Sequence, residues 1–367
     1  KKPKNQKPVA TILGFGSVRD EKGEEMHKTK GNAIDFNEAA GKIGVDVMRW
    51  LYLRTNPEHN VNFGYHATDE IRRFFHLRLW NVYSFFVLYA NADNWGQSEL
   101  EFKPTNVLDR WILSRLNGSI KNITKAIERY DASDACNISE IFVINDLSTW
   151  YVRRIRDRVG PGAADIKDKD DAYKTLWKVL IEFSKVLSPF VPFIADEIYQ
   201  NLTKGLSVNL ADWPKHTESL IDNKLEEEMD IARKLSECAH ALRKSSQVKV
   251  RVPLKEGTYD SPVELSSEVL DVLKDEINFE NLSFGKKSNF FQVNAETGDK
   301  NQDKEKGEAR EIIRNIQSER KRLGTKITDL VDVTSPSWPK EYEDFIKRQA
   351  LVKTLSKGNK FEVVRNG

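Results

Sequence analysis

Residues 138–158 read Ile-Ser-Glu-Ile-Phe-Val-Ile-Asn-Asp-Leu-Ser-Thr-Trp-Tyr-Val-Arg-Arg-Ile-Arg-Asp-Arg. No Gly or Pro interrupts them, so the apolar first half and the basic end read as one helix, running from about Asp134 to Arg158. Arg153, Arg154, Arg156 and Arg158 crowd its last turns, and Arg154 and Arg158, four apart, share a face. Cations at a helix C-terminus complement the macrodipole, so such a cluster needs no ligand. The same side chains also suit phosphates along an RNA stem, with specificity coming from loop bases elsewhere. Trp150 lies at helical spacing, where a core role is commoner than base stacking.

Helical patterning extends on both sides. Ala39, Ile43, Val47 and Leu51 are spaced by four in a helix expected over 38–52. Residues 67–90, with Thr68 or Asp69 as cap, show a broad apolar face that includes Ile71, Phe75, Leu79 and Phe86. Further helices are expected over 105–130, 171–187, 193–202 and 226–245, with Ser188-Pro189-Phe190-Val191-Pro192 breaking one from the next. Long helices with short connections predict an antiparallel bundle. Beyond it, Val248 to Leu254 alternates with period two, as a half-buried strand does. A helix over 265–275, extended pieces over 279–284 and 290–294, a solvated loop over 294–306 and a helix over 307–323 complete a small α+β module. No internal repeat is visible. At the other end, residues 8–20 read as a short strand followed by the turn Asp20-Glu21-Lys22-Gly23. That strand pairs with something later, or belongs to a domain whose earlier part lies elsewhere.

The chain has 367 residues, 58 Lys plus Arg against 56 Asp plus Glu, and a net charge of +2, so any nucleic-acid footprint must be local. With 39 % hydrophobic and 10 % aromatic residues it has material for real cores. It has no run of about 18 apolar residues, as a membrane span requires, and Lys1-Lys2-Pro3-Lys4 lacks the apolar stretch of a secretory signal. Only Cys136 and Cys238 are present, far apart, which argues against a disulfide framework or a Cys-rich metal site and fits a reducing cytoplasm. No metal ligands are assigned.

The sharpest local feature is Glu25-Met26-His27-Lys28-Thr29-Lys30-Gly31-Asn32, between the expected strand and the first helix. By composition it is a basic turn. Two lysines around a threonine, with Gly and Asn to turn the backbone, also suit phosphate oxygens. The stretch resembles the lysine-rich signature loop of class I aminoacyl-tRNA synthetases, matching it at Met26, Lys28, Thr29, Lys30, Gly31 and Asn32. Glu25 stands where the first lysine is usual, and His27 replaces a serine. Gly44-Val45-Asp46-Val47-Met48-Arg49-Trp50 is similar to the segment that follows the loop in this family.

The bundle carries the resemblance further. Asp146-Leu147-Ser148, Trp150-Tyr151-Val152-Arg153-Arg154, Leu108-Asp109-Arg110-Trp111 and the Ser188-Pro189-Phe190 segment resemble the anticodon-binding bundle of the isoleucyl, valyl, leucyl and methionyl group. Trp80-Asn81-Val82-Tyr83, Lys249-Val250-Arg251-Val252-Pro253-Leu254 and Ala309-Arg310-Glu311-Ile312 favour the isoleucyl branch.

The resemblance implies a mostly α chain in three parts. Residues 1–60 would be the tail of a Rossmann-like catalytic domain, 61–246 an anticodon-binding bundle and 247–367 a small α+β module. It implies ATP with Mg2+ in the parent enzyme, isoleucine and tRNA(Ile) as substrates, and a cytoplasmic monomer. Lys28, helped by Lys30, would meet charge developing on pyrophosphate, with Met26, His27, Thr29, Gly31 and Asn32 shaping the loop. Trp150, Arg153, Arg154, Arg156 and Arg158 would meet tRNA. The family's His-x-Gly-His signature is absent, so the chain is expected to be a C-terminal fragment, inactive by itself in amino-acid activation. Two alternatives remain: a valyl enzyme, which would end in a coiled-coil arm, and a non-catalytic helical interaction module.

Overall fold

The computed structural model describes Val9, residues 11–96 and residues 102–366. The lysine-rich start, and Pro8 and Ala10 of the expected first strand, lie outside these residues. That strand shrinks to β1 (Val18–Arg19), which pairs in parallel with β2 (Val61–Asn62). The Asp35 side chain accepts from the N–H groups of Asn37 and Glu38 and starts α1 (Phe36–Ile43). Gly44, at φ 94°, then takes a backbone conformation that suits glycine. The single helix expected over 38–52 is therefore two, α1 and α2 (Val45–Arg54). The next expected helix is observed as α3 (Tyr65–Ile71), a π-wound turn at Arg72–His76 and α4 (Leu77–Ala92). α5 (Val107–Glu128) follows, then α6 (Ala132–Glu140), capped by Asp131. Residues Ile141–Val152 wind with the wider π spacing and lead to the short α7 (Arg156–Val159). After α8 (Ile166–Leu187), the proline-bounded break starts α9 (Pro192–Thr203) with Pro192 in its first turn. Asp222 caps α10 (Asn223–Ser245).

The remainder is β3 (Leu254–Ser261), α11 (Ser267–Ile277), β4 (Phe279–Lys287), β5 (Gln292–Asn294), α12 (Lys304–Arg322), β6 (Val331–Ser335), α13 (Glu343–Ala350), β7 (Val352–Lys357) and β8 (Glu362–Arg365). The fold class is as expected: mostly α, with a helical bundle and a small α+β part. No helix among the described residues is long and apolar enough to cross a membrane. Cys136 and Cys238 are free thiols.

The chain divides into two compact units. The first comprises Lys1–Phe86, Arg115–Arg153 and Leu176–Ile221. Trp50 stacks on Phe75 at 3.9 Å, and Phe142 lies against Phe183 at 4.6 Å. Trp50, Phe75, Phe142 and Ile123 have no exposed surface.

The second comprises Val87–Ser114, Arg154–Thr175 and Asp222–Gly367. It contains a tandem duplication, which corrects the reading that the chain has no internal repeat. In each copy a long helix leads to a strand, a helix, a parallel strand and an antiparallel strand, giving sheet orders β4–β3–β5 and β7–β6–β8. The copies match in detail. Arg243 on α10 and Arg320 on α12 each lie eleven residues before the first residue of their sheet (243 to 254, 320 to 331), and both are buried. Arg243 donates to the carbonyls of Lys249 and Val252, and Arg320 to those of Lys326 and Asp329, the same +6 and +9 positions. Gln247 and Gly324, each four residues after the arginine, are both left-handed, at φ 57° and 62°. Ser261 and Ser335 each end the central strand and donate from the hydroxyl to the carbonyl two residues on.

The same arginine overturns another expectation. Arg243 draws the carbonyls of Lys249 and Val252 inward, and Val252 N–H donates to the Lys249 carbonyl. Residues 249–252 thus form a turn, and the strand begins only at Leu254, after Pro253.

Candidate functional site

The lysine loop lies in the first unit and is organised by two side chains. The Asp20 carboxylate accepts from the N–H groups of Lys22 and Glu24. Asn32 bridges across the loop: its amide nitrogen donates to Asp20 at 2.9 Å and to the Glu25 carbonyl at 3.1 Å, while its oxygen accepts from the His27 N–H at 2.9 Å. These hydrogen bonds, led by that from Asn32, hold the Asp20 carboxyl below its ordinary range. Lys28–Lys30 form one turn of 3-10 helix closed by left-handed Gly31. Lys28, Thr29 and Lys30 are exposed, Met26 is half-buried, and neither lysine meets a carboxylate among the described residues. The two residues that depart from the signature face each other, His27 Nε2 lying 3.6 Å from the Glu25 carboxylate. Glu25 is therefore turned toward His27, and the pair of ammonium groups stays open to solvent. Lys30 also borders a cleft of about 400 Å3 with Asn32, Phe63 and Tyr65.

The Gly44–Trp50 segment behind the loop is a clamp. Asp46 accepts from the N–H of Ile194 at 2.8 Å and Phe193 at 3.4 Å, satisfying the orphan donors that start α9. Burial pushes its carboxyl above the ordinary range in spite of those bonds. Arg49 donates to the carbonyls of Pro189 and Phe190. The Trp50 indole N–H donates to Glu140 at 2.9 Å, and Arg54 pairs with the same carboxylate. Sequence reasoning placed this motif by resemblance and missed its task. The i, i+3, i+4 spacing of Asp46, Arg49 and Trp50 on one helix was its local signal.

The arginine-bearing helix end differs from expectation. Trp150 is only 6 % exposed, a core residue of the first unit with no face to offer a base. Arg153, in the same unit, is exposed. In the second unit Arg158 is committed inward: Nη1 and Nη2 donate to the two carboxylate oxygens of Asp109, at 2.9 and 2.6 Å, and Nε donates to Asp168 at 2.7 Å. Asp109 has no exposed surface and the Arg158 side chain is 12 % exposed. Arg154, also 12 % exposed, pairs with Glu276 at 2.8 Å and with Asp275, and Glu276 in turn meets His240. Arg110 pairs with Glu268 near the start of α11, so Arg110 and Arg154 hold both ends of that helix. The expectation that Trp150, Arg154 and Arg158 face an RNA is corrected on this geometry. Arg158 commits Nε, Nη1 and Nη2 to Asp109 and Asp168, and Arg154 commits Nη1 and Nη2 to Asp275 and Glu276, which turns both guanidinium groups toward carboxylates of their own unit. Arg156 is exposed. A further pair that sequence reasoning missed, Arg115 to the buried Asp146 at 2.8 Å, gives the Asp146-Leu147-Ser148 motif a structural role.

Comparison with known proteins adds the following. Residues 109–257 match the anticodon-binding domain of tRNA ligases, and residues 2–64 match the class I tRNA synthetases of the I, L, M and V group. The chain is 37 % identical over 310 residues to the isoleucine–tRNA ligase of Pyrococcus furiosus, covering 79 % of this chain and 29 % of that one. It is 39 % identical over 286 residues to the Clostridium tetani ligase, covering 76 % and 27 %, and 34 % identical over 390 residues to that of Dehalococcoides mccartyi, covering 97 % and 38 %. The chain thus spans about a third of the length of these relatives.

Proposed function

The chain belongs, over the third of those proteins that it spans, to the isoleucine–tRNA ligases, and from this premise we propose that it is the tRNA-binding portion of such an enzyme, acting on tRNA(Ile). One observation carries the reading: the signature-loop segment and the anticodon-binding segment match in the order, and within the proteins, that the function requires. The relatives that match over 76–97 % of this chain are isoleucine–tRNA ligases, which favours the isoleucyl reading over the valyl one. The interaction-module alternative leaves the loop and its matching neighbours unexplained.

In this reading the exposed residues Arg153 and Arg156 meet the tRNA backbone. The loop residues would hold ATP with Mg2+: Lys28, with Lys30, presents ammonium groups on a turn pinned by Asn32, and His27 faces the Glu25 carboxylate. Bound there, ATP supplies the adenylate and the leaving pyrophosphate of amino-acid activation. Lys28 would neutralise charge on that leaving group, so its contribution would appear chiefly in the transition state. The cytoplasm and a monomeric state fit the same reading.

The test is direct binding of labelled tRNA(Ile) and of an unrelated tRNA to the chain, measured by fluorescence anisotropy. Preference for tRNA(Ile) of at least tenfold supports the proposal. Equal affinity for the two RNAs overturns it.

A further inference from the structure

The duplicated module raises a question that the anticodon-binding segment does not answer: what the second copy contributes. Its arginine-locked turn is a rigid object. Arg320, 4 % exposed, spends its guanidinium on the carbonyls of Lys326, Ile327 and Asp329, and so cannot itself meet a ligand. The turn it locks carries a lysine at each side of the arginine's reach, Lys321 at +1 and Lys326 at +6, both exposed. No ion pair involves either one among the described residues. Both line a cleft of about 440 Å3 within the second unit, and the opposite wall brings Arg156. Close approach of the walls is built in at Gly162, where an added Cβ would come within 2.9 Å of the Arg348 carbonyl. Asp157 is the one acidic residue lining the cleft, against four basic ones.

The first copy repeats the arrangement at the same offsets, with Lys244 at +1 and Lys249 at +6 from Arg243, both exposed. Its lysines do not line the cleft. A device found twice, in which one arginine freezes a turn and two lysines flank it, is poorly explained as surface solubility. A frozen turn lowers the ordering cost of holding two cations at fixed places.

We infer that the cleft of Arg156, Lys321 and Lys326 grips the phosphate backbone of the RNA bound by this chain. This rests on the tRNA reading above and extends it to the second repeat. The cations displace counterions, so the grip is sequence-independent and sensitive to salt. Bases would be read elsewhere.

The experiment measures tRNA(Ile) binding by anisotropy from low to moderate KCl for the wild type, K321E/K326E and K244E/K249E. Thermal melts by circular dichroism confirm that each variant is folded. K321A/K326A serves as a second, milder variant should the charge reversal fail to fold. The expected result is a loss of fivefold or more at low salt for K321E/K326E. The slope of log K against log salt should be shallower by roughly one to two, as about two lost phosphate contacts require. K244E/K249E should change affinity less. A wild type with no salt-dependent binding would defeat the underlying tRNA reading. A wild type that binds, with K321E/K326E unchanged or with K244E/K249E equally weakened, would overturn the cleft alone.

Discussion

Arg158→Ala separates the two readings of the arginine cluster most cleanly. The substitution removes both guanidinium bonds to Asp109, at 2.9 and 2.6 Å, two to the Asp168 carboxylate, at 2.7 and 2.8 Å, and one to the Asp168 carbonyl at 3.2 Å. The Asp109 side chain has no exposed surface, so water cannot replace what is lost. Removing one partner of a buried pair costs about 3–5 kcal/mol, because a desolvated carboxylate is left behind. Four charge-assisted bonds at about 1.5–3 kcal/mol each give a sum above that range, and partial exposure of Asp168, at 28 %, brings it down. In a unit of about 200 residues each kcal/mol moves the midpoint by about 2–4 °C, so the expected drop is roughly 10 °C. Differential scanning calorimetry is the assay, because two units can melt as two transitions and the loss should appear in one. The double variant R158M/D109L should recover most of the loss, since an apolar pair removes both charges together. A midpoint within 1 °C of wild type, with weakened tRNA binding, would refute this reasoning and return Arg158 to the RNA-facing surface.

Three further outcomes are expected. His76 is 7 % exposed and packed edge-on to Trp50 and Phe75, and burial pushes its imidazole down to about 4 from an ordinary 6.5. The folded state stays neutral where the unfolded chain binds a proton, so this contribution is full above pH 6.5 and is lost as the pH falls toward 4. Its size is roughly 3 kcal/mol. Urea titrations at pH 7 and pH 4.5 should show a smaller acid loss for H76L than for wild type, and identical losses would contradict the assignment. Arg49→Met should destabilise the first unit by about 1–3 kcal/mol through the orphaned carbonyls of Pro189 and Phe190, read from urea midpoints, whereas no change would remove the clamp. Arg320→Met should speed amide exchange at Lys326 to Asp329 more than tenfold, a loss of over about 1.4 kcal/mol in local opening, and unaltered protection would show that the turn is fixed otherwise.

The helices were legible because local rules set them. Asp35, Asp131, Asp222 and Asp303 each cap the helix they precede, and Pro192 sits where a first turn tolerates it. Phase was not legible. Residues 141–152 wind with π spacing, so a 3.6-residue count from the start of the helix does not carry through to the arginines that follow. The partners of those arginines, Asp109, Asp168 and Glu276, stand 10 to 122 positions away, beyond any spacing rule. The alternation at 248–253 comes from a turn whose cause, Arg243, lies on the preceding helix. The sequence reading named no element beyond 323, where β6, α13, β7 and β8 complete the second copy. The copies share a buried arginine, lysines one and six places after it, a left-handed position and a strand-ending serine, a set too sparse to announce a repeat in the sequence. The lysine loop was the part of the site most readable beforehand, since glycine and asparagine announce a pinned turn.

The measurement that bears most directly on the central claim is the salt dependence of tRNA(Ile) binding by wild type beside R153A/R156A. The account predicts a steep linear fall of log K with log salt for the wild type, and for the variant weaker binding with a slope smaller by about one to two. Superimposable titrations for the two proteins would contradict it.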